Sequence, residues 1–327
     1  MFQRILVPLD GSDRAEQAIP VAARIARASG GTVILAQAAL IPVDFQIEKR
    51  VPSEVYSENV IEEVKALPMN YLDKVSKMAE LVGVKTETRV EYGDVAPSIL
   101  AAIEPLGVDL IVMSSHGYSG FKRWALGSVA HKIIPHSPVP VLVLRDGGPT
   151  LTTNAVSALV ALDGSPLAES VLAPVVQLAT ALAPSMHITL RLVRVVDLPA
   201  TYGYGKFAAN AFVDQMRAEA KREAQAYLAA VAQRLIDSDD IEPDFIVTTS
   251  IAVNPDVAEA LVQMAAQELH AGGCFDLVAM ATHGRGGLQR WVLGSVTERV
   301  LHSTKLPMLV VHSHQTGSHE EHILSQI

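Results

Sequence analysis

Two short polar loops, each occurring twice, hold the residues of this chain best suited to chemistry. The first is Asp10-Gly11-Ser12, repeated as Asp163-Gly164-Ser165. The second is Ser114-Ser-His-Gly-Tyr-Ser-Gly120, repeated as Ala281-Thr-His-Gly-Arg-Gly-Gly287. Ten residues beyond Gly117 and Gly284, the glycines of the two His-Gly pairs, come Gly127-Ser128 and Gly294-Ser295. Glycine lets backbone N–H groups approach an anion closely, and N–H groups at a helix start favour negative charge. On this reading phosphate touches the backbone of Gly127 and Gly294, so a bulky residue there should abolish binding and leave the fold intact. A serine hydroxyl adds a donor, Arg285 adds a cation where the first copy has Tyr118, and the Asp10 and Asp163 carboxylates can accept from ribose hydroxyls. Plainer readings stay open beside this one. Either Asp could simply cap a helix, and Gly-Ser pairs are ordinary turn chemistry. His116 and His283 suit loop-stabilising donors better than catalysts.

Positioning these loops twice requires two similar folds. Residues 4–12 and 158–165 share the run ending Leu-Asp-Gly-Ser, 153 positions apart, while Trp124-Ala-Leu-Gly-Ser-Val129 and Trp291-Val-Leu-Gly-Ser-Val296 are 167 apart. The second copy therefore carries 14 extra residues. The halves are expected at 1–146 and 154–313, joined near Asp146-Gly-Gly-Pro-Thr150, with a His-containing tail over 314–327. Apolar, β-branched runs predict strands at 3–9, 32–38, 85–91, 108–114 and 139–144, then at 156–162, 186–196, 244–250, 275–281 and 306–312. Helical stretches fall between them at 13–29, 60–81, 95–104 and 124–136, then 166–182, 210–236, 255–270 and 291–303. This alternation predicts an α/β fold of two repeated doubly wound domains, each with a five-stranded parallel sheet flanked by helices. Ser12 and Ser165 stand where an N-cap would open the first helix of each copy. Pro20 and Pro174 should kink or break those helices. In such sheets ligands bind beyond the carboxyl ends of the strands, where strand order reverses, and both polar loops follow strands.

Composition narrows the partners. The chain has 327 residues, 49% hydrophobic and 19% charged, and 35 acids against 26 bases give a net charge of −9. No basic cluster is available to neutralise a phosphate backbone, so nucleic acid is not an expected partner. No run reaches the roughly 18 apolar residues of a spanning helix, and the start of the chain lacks the apolar core of an export signal. No membrane partner is therefore expected. The single cysteine, Cys274, rules out an internal disulfide and a Cys-built zinc site, and a cytoplasmic location follows as the expectation. Cys274 itself reads as a small buried residue just before a strand. His312, His314, His319 and His322 near the end carry no fixed geometry for a metal, and none is assigned.

The doubled elements bring a resemblance with them. The chain resembles the universal stress protein family in tandem form, on the opening Ile-Leu-Val-Pro-Leu-Asp10-Gly-Ser, the two His-Gly loops with their Gly-Ser pairs, and the closing Pro140-Val-Leu-Val143 and Pro307-Met-Leu-Val310. In one branch of the family the resemblance implies binding of ATP or another adenine nucleotide (ADP, AMP), with Mg2+ as a candidate companion. The phosphate signature of that branch is Gly, two residues, Gly, nine residues, Gly, then Ser or Thr. Ser114 and Ala281 stand here at its first glycine, Gly117 and Gly284 at its second, and Gly127-Ser128-Val129 and Gly294-Ser295-Val296 at its close. Asp10 and Asp163 match the acidic residue after the first strand, with Gly11, Ser12, Gly164 and Ser165 behind them. Ala38 and Val195 fall where the second strand offers backbone groups to adenine. The resemblance also implies pairing through the last strands, 139–144 with 306–312, and leaves a homodimer and an unidentified protein partner open.

Three functions remain in competition at this level. The first is an adenine-nucleotide-binding stress-response or signalling protein, and the second a nucleotide-free dimerisation or interaction module of the same fold. The third, an enzyme, is the weakest. The sequence has no Walker-type Gly-x-x-x-x-Gly-Lys-Ser and no evident general base, so no residue is assigned as catalytic and slow ATP hydrolysis is the most to be expected.

Overall fold

The computed structural model describes residues 1–39, 58–115, 126–145, 147–148, 151, 155–184, 187–197, 208–238, 245–266, 274–282 and 293–312. The apolar runs form ten strands. In the first half these are β1 (Arg4–Leu9), β2 (Thr32–Ala39), β3 (Lys85–Tyr92), β4 (Leu110–Ser114) and β5 (Val141–Leu144). The second half has β6 (Val156–Ala161), β7 (Ile188–Val196), β8 (Phe245–Val253), β9 (Leu277–Ala281) and β10 (Met308–Val311). They join into one sheet of order β3-β2-β1-β4-β5-β10-β9-β6-β7-β8. Pairing is parallel within each half and antiparallel at the seam, where Leu309 of β10 faces Leu142 of β5. Both leucines are fully buried. The fully apolar central strands, such as Leu110-Ile-Val-Met113, are buried on both faces, as a parallel sheet covered by helices requires.

The first helix of each half is broken. In place of one helix over 13–29 there are α1 (Asp13–Glu16) and α2 (Ala18–Ser29), and in place of 166–182 there are α6 (Pro166–Glu169) and α7 (Leu172–Leu182). Each break lies three to four residues before a proline. Pro20 and Pro174 have no N–H to give to Glu16 and Ser170, and each ring presses on that carbonyl. The remaining helices are α3 (Glu58–Ser76), α4 (Val95–Ala102), α5 (Ser128–Ile133), α8 (Ala208–Ile236), α9 (Val257–Ala265) and α10 (Ser295–Ser303). Several are shorter than their sequence patterns predict. The apolar periodicity continues past the hydrogen-bonded turns, as at α4, which stops at Ala102 rather than at 104.

Two apolar layers sandwich the sheet, and each runs across both halves. One joins α2 and α7 over Val7, Leu142, Leu309 and Val160; the other lies under α4, α5, α9 and α10 over Leu6, Val143, Val310 and Leu159. The connection between halves is packed as well. Arg24 Nη1 donates to the Leu151 carbonyl at 3.0 Å, and Leu151 is itself buried. A Cβ on Gly148 would lie 2.3 Å from the Lys305 carbonyl oxygen, so the chain at this point passes too close to the other half for a side chain. Cys274 is exposed, correcting the reading of it as buried. It precedes β9 by three residues, and the buried position before that strand is taken by Phe275.

Candidate functional site

Strand order reverses between β1 and β4 in the first half and between β6 and β9 in the second. The ladders open there. β1 stays paired with β2 to its last residue, Leu9 against Gln37, whereas its pairing with β4 runs only over Ile5–Leu110 and Leu6–Ile111. In the second half β6 and β9 pair from Ala158–Leu277 to Val160–Ala279, short of both carboxyl ends. Each half thus has a crevice at its switch point, where open α/β sheets take ligands.

The Asp-Gly-Ser turn forms one lip of each crevice. Asp10 Oδ1 accepts from the Ser12 N–H at 3.0 Å and from its hydroxyl at 2.6 Å, and Ser12 Oγ in turn accepts from the Ala15 N–H at 3.2 Å. The second half repeats this with Asp163 Oδ1 to Ser165 at 2.9 and 2.7 Å, and Ser165 Oγ to the Ala168 N–H at 3.1 Å. Ser12 and Ser165 are therefore the N-caps, and each aspartate holds the capping serine instead of capping the helix itself. Gly11 and Gly164 take φ of 87° and 90°, a left-handed turn that glycine adopts without strain. Because each of these helix starts is already capped by a serine and carries a carboxylate, it presents an acceptor to a ligand and disfavours phosphate.

The opposite lip has the reverse character. Gly127 and Gly294 are the N-caps of α5 and α10, and among the described residues neither helix start has a side-chain cap. Ser128 and Ser295 beside them are exposed. The first-turn N–H groups of a helix have no partner within it, so these ends can donate to an acceptor from outside. The glycines are tied to the sheet: the Gly127 N–H donates to the Ser115 carbonyl at 2.7 Å and the Gly294 N–H to the Thr282 carbonyl at 2.9 Å. A Cβ on Gly294 would stand 2.3 Å from the Thr282 oxygen. The need for glycine at 294 is therefore met within the chain. This corrects the expectation that a bulky residue there would leave the fold intact.

Ser114 and Ala281, the small residues at the first glycine position of the signature, are buried at the ends of β4 and β9, and Ala38 and Val195 lie half-buried near the ends of β2 and β7. Val129 and Val296 sit in the first turns of α5 and α10, half-buried. His116, Gly117, His283, Gly284 and Arg285 lie outside the described residues, as do Trp124, Trp291 and the tail beyond 312.

Sequence reasoning missed a second tier behind the aspartates. Tyr71 of α3 donates to Glu16 Oε1 at 3.0 Å, and burial, with Glu16 beside it, raises the phenol well above its usual range. The matching residues are Tyr227 and Glu169, but Glu169 there pairs with Arg234 at 2.6 Å. Tyr227 is also raised, by burial first and then by the Glu169 carboxylate beside it, although its buried hydroxyl and Glu169 do not reach good hydrogen-bond geometry. Arg194, buried, lies 5.3 Å from the Tyr227 ring centre, a cation–π distance, and 3.4 Å from Glu223. Gln37 occupies the equivalent position in the first half, one residue before Ala38 as Arg194 is one before Val195, with its Oε1 buried and without a hydrogen-bond partner among the described residues. The halves also differ after their last strands. Arg145 is buried, its Nε donating to the Thr304 carbonyl at 3.2 Å, and desolvation lowers its pKa; at the equivalent position His312 Nδ1 lies 3.2 Å from Thr282 Oγ1. A Glu four residues after the capping serine in both copies, followed by a Tyr 55 residues on in the first and 58 in the second, was the available signal for the first pair. The others required the register.

Fold and site together define a tandem doubly wound α/β protein with one switch-point crevice per half. The profile of the Universal stress protein family matches residues 1–145 and again 157–312, and the chain belongs to that family as a tandem member. It is 36% identical over 145 residues to a universal stress protein of Methanocaldococcus jannaschii, an alignment covering 44% of this chain and 83% of the relative. It is 32% identical over 154 residues to the universal stress protein YxiE of Bacillus subtilis, covering 44% of this chain and 100% of the relative. The solved structure of a universal stress protein from Archaeoglobus fulgidus matches over 94% of this chain and 98% of its own, with a TM-score of 0.61 and 19% identity. That likeness is one of fold. Among the described residues no helix is long and apolar enough to cross a membrane.

Proposed function

We propose that each half binds one adenine nucleotide in its switch-point crevice, and that the protein acts in the cytoplasm as a nucleotide-responsive stress or signalling protein. The observation that carries this reading is the opposed character of the two lips. Asp10 or Asp163 offers a carboxylate, suited to accept from ribose hydroxyls, across from a helix start at Gly127-Ser128 or Gly294-Ser295 that has no side-chain cap among the described residues. Phosphate is favoured at the second lip and disfavoured at the first. Backbone groups at Ala38 and Val195 are the candidates for holding the base. ATP is the nucleotide suggested by the family resemblance. Among the described residues no three metal-ligating side chains gather. An accompanying Mg2+ would therefore be held chiefly by the phosphates, as is usual for that ion. No residue is assigned a catalytic role.

A second reading has its own support. Each aspartate already accepts two bonds from its capping serine, and Gly294 is required by the chain itself, so the repeated loops could serve the fold alone. The protein would then be a nucleotide-free interaction module. Denaturing the purified protein and identifying released small molecules by mass spectrometry separates the two. ATP, ADP or AMP near one or two equivalents per chain supports binding. No release, together with no heat on titration of the emptied protein with any of the three, leaves the interaction module.

A further inference from the structure

The ten-stranded sheet has two outer edges, and their sequences treat exposure in opposite ways. β3 carries Lys85, Glu87, Arg89 and Glu91 in eight residues, with an ion-pair fork from Arg4 Nη1 and Nη2 to the Glu87 oxygens at 3.2 Å. Charges of this kind keep an edge strand from recruiting another strand. β8, Phe-Ile-Val-Thr-Thr-Ser-Ile-Ala-Val from 245 to 253, contains no charged residue in nine, and among the described residues no strand pairs with its outer side. Ile246 on it is 48% exposed.

The order of residue types along β8 reads the same in both directions. Three apolar residues, three hydroxyl residues and three apolar residues follow one another, with Thr249 at the centre and exposed. We propose that β8 is a self-association edge, at which two copies of this chain pair antiparallel about a two-fold axis through Thr249. In that register Thr249 meets its own copy, Thr248 meets Ser250, Val247 meets Ile251, Ile246 meets Ala252 and Phe245 meets Val253. Every cross-strand pair then joins like with like, hydroxyl to hydroxyl and apolar to apolar, which are the favourable combinations. Thr248 Oγ1 is buried without a hydrogen-bond partner among the described residues, and this register sets it across from Ser250 of the second copy. Antiparallel joining of sheet edges is also how the two halves of the chain meet, at β5 and β10. An isologous contact of this type closes on itself and gives a dimer, not a filament, because β3 is protected. A charged peptide finds no complement on β8.

A nine-residue ladder spans about 30 Å and sits at the small end of specific interfaces, near or below ~1,200 Å², so the dimer is concentration-dependent. Light scattering across a dilution series of the full chain should show the mass moving between one and two copies. Thr249→Lys places like charges opposite each other and should leave a monomer at every concentration, with the melting temperature of the wild type at high dilution. In a Cys274→Ser background, Thr249→Cys should form a covalent dimer under mild oxidation or with a short bis-maleimide, and Lys85→Cys on the other edge should not. A wild-type chain that is monomeric throughout overturns the proposal, as does a dimer that survives Thr249→Lys or fails to cross-link at 249. Dimerisation that appears only after removal of residues 313–327 also overturns it, since the tail would then be the natural cover of the edge. None of these outcomes depends on nucleotide, so the assay stands apart from the reading of the crevices.

Discussion

Replacing Gly294 by alanine adds a single methyl group at a point where the chain has no room for it. The φ of Gly294 is −59°, which any residue adopts, so the cost is steric rather than conformational. The new Cβ would lie 2.3 Å from the Thr282 carbonyl oxygen and 3.8 Å from Thr297 Oγ1. Neither neighbour can easily give way. Thr282 is fully buried and its N–H donates to the Val311 carbonyl at 2.8 Å, while Thr297 is buried and donates to the Ala281 carbonyl at 2.9 Å. Relief requires α10 to lift from β9, which lengthens or breaks the 2.9 Å bond from the Gly294 N–H to Thr282. Overpacking of this kind costs about 1–3 kcal/mol and a lost buried hydrogen bond about 1 more, so Gly294→Ala should destabilise by roughly 2–4 kcal/mol without any ligand present. Ser295→Ala, one residue on and exposed, should stay within about 0.5 kcal/mol. Urea titration of both variants in nucleotide-free buffer measures the difference. A Gly294→Ala protein that unfolds at the wild-type urea concentration would refute the steric argument and return the glycine to a purely ligand-directed role.

Leu309→Lys buries an unpaired charge at the seam opposite Leu142 and should cost at least about 3 kcal/mol, seen as a large fall in the denaturation midpoint or as aggregation; an unchanged midpoint would mean the halves do not depend on this pairing. Ser12→Ala removes the acceptor for the Ala15 N–H and should cost about 1 kcal/mol in denaturant unfolding, with Ser165→Ala costing at least as much because that serine is buried; no loss in either would show that the caps are redundant. The pH dependence has two opposing parts. Arg4 holds the Glu87 carboxyl below its ordinary range and Arg299 does the same for Asp256, so both contributions are full above the unfolded values of 4.5 and 3.8 and disappear as pH falls through the lower folded values. Burial raises Asp276, whose penalty at neutral pH is relieved on acidification through its raised folded value. Asp276→Asn, which keeps an acceptor for the Ser157 N–H, should therefore raise stability at neutral pH and leave a steeper acid loss; equal acid profiles for the variant and the wild type would contradict this assignment.

The sequence carried the architecture well because its strongest signals are local and doubled. Continuous apolar runs such as those of β4 and β9 place buried strands without knowledge of their neighbours, and the repeat supplies each element twice. The proline breaks were equally local, since Pro20 and Pro174 act on carbonyls four residues behind them. Helix ends were harder to read, because an apolar periodicity does not show where hydrogen bonding stops. At the site, the serine caps were legible from the Asp-Gly-Ser spacing. The role of the aspartates was not, because Asp10 could bond Ser12, the helix or a ligand with equal plausibility until the 2.6 Å contact to Ser12 Oγ fixed one oxygen. Gly294 was misjudged for a related reason: a glycine signals close approach, but only tertiary packing reveals that the approaching group is Thr282. Gln37, Arg194 and Arg145 depend on strand register and on the seam, which no single stretch of sequence contains.

Calorimetric titration of nucleotide-free protein with ATP tests the central claim most directly when run on four proteins: wild type, Asp10→Ala, Asp163→Ala and the double variant. The account predicts two nucleotides per wild-type chain, one in each single variant and none in the double variant, with the far-ultraviolet circular dichroism of all four alike. Absence of binding to the wild type, or two sites persisting when both aspartates are gone, would contradict it.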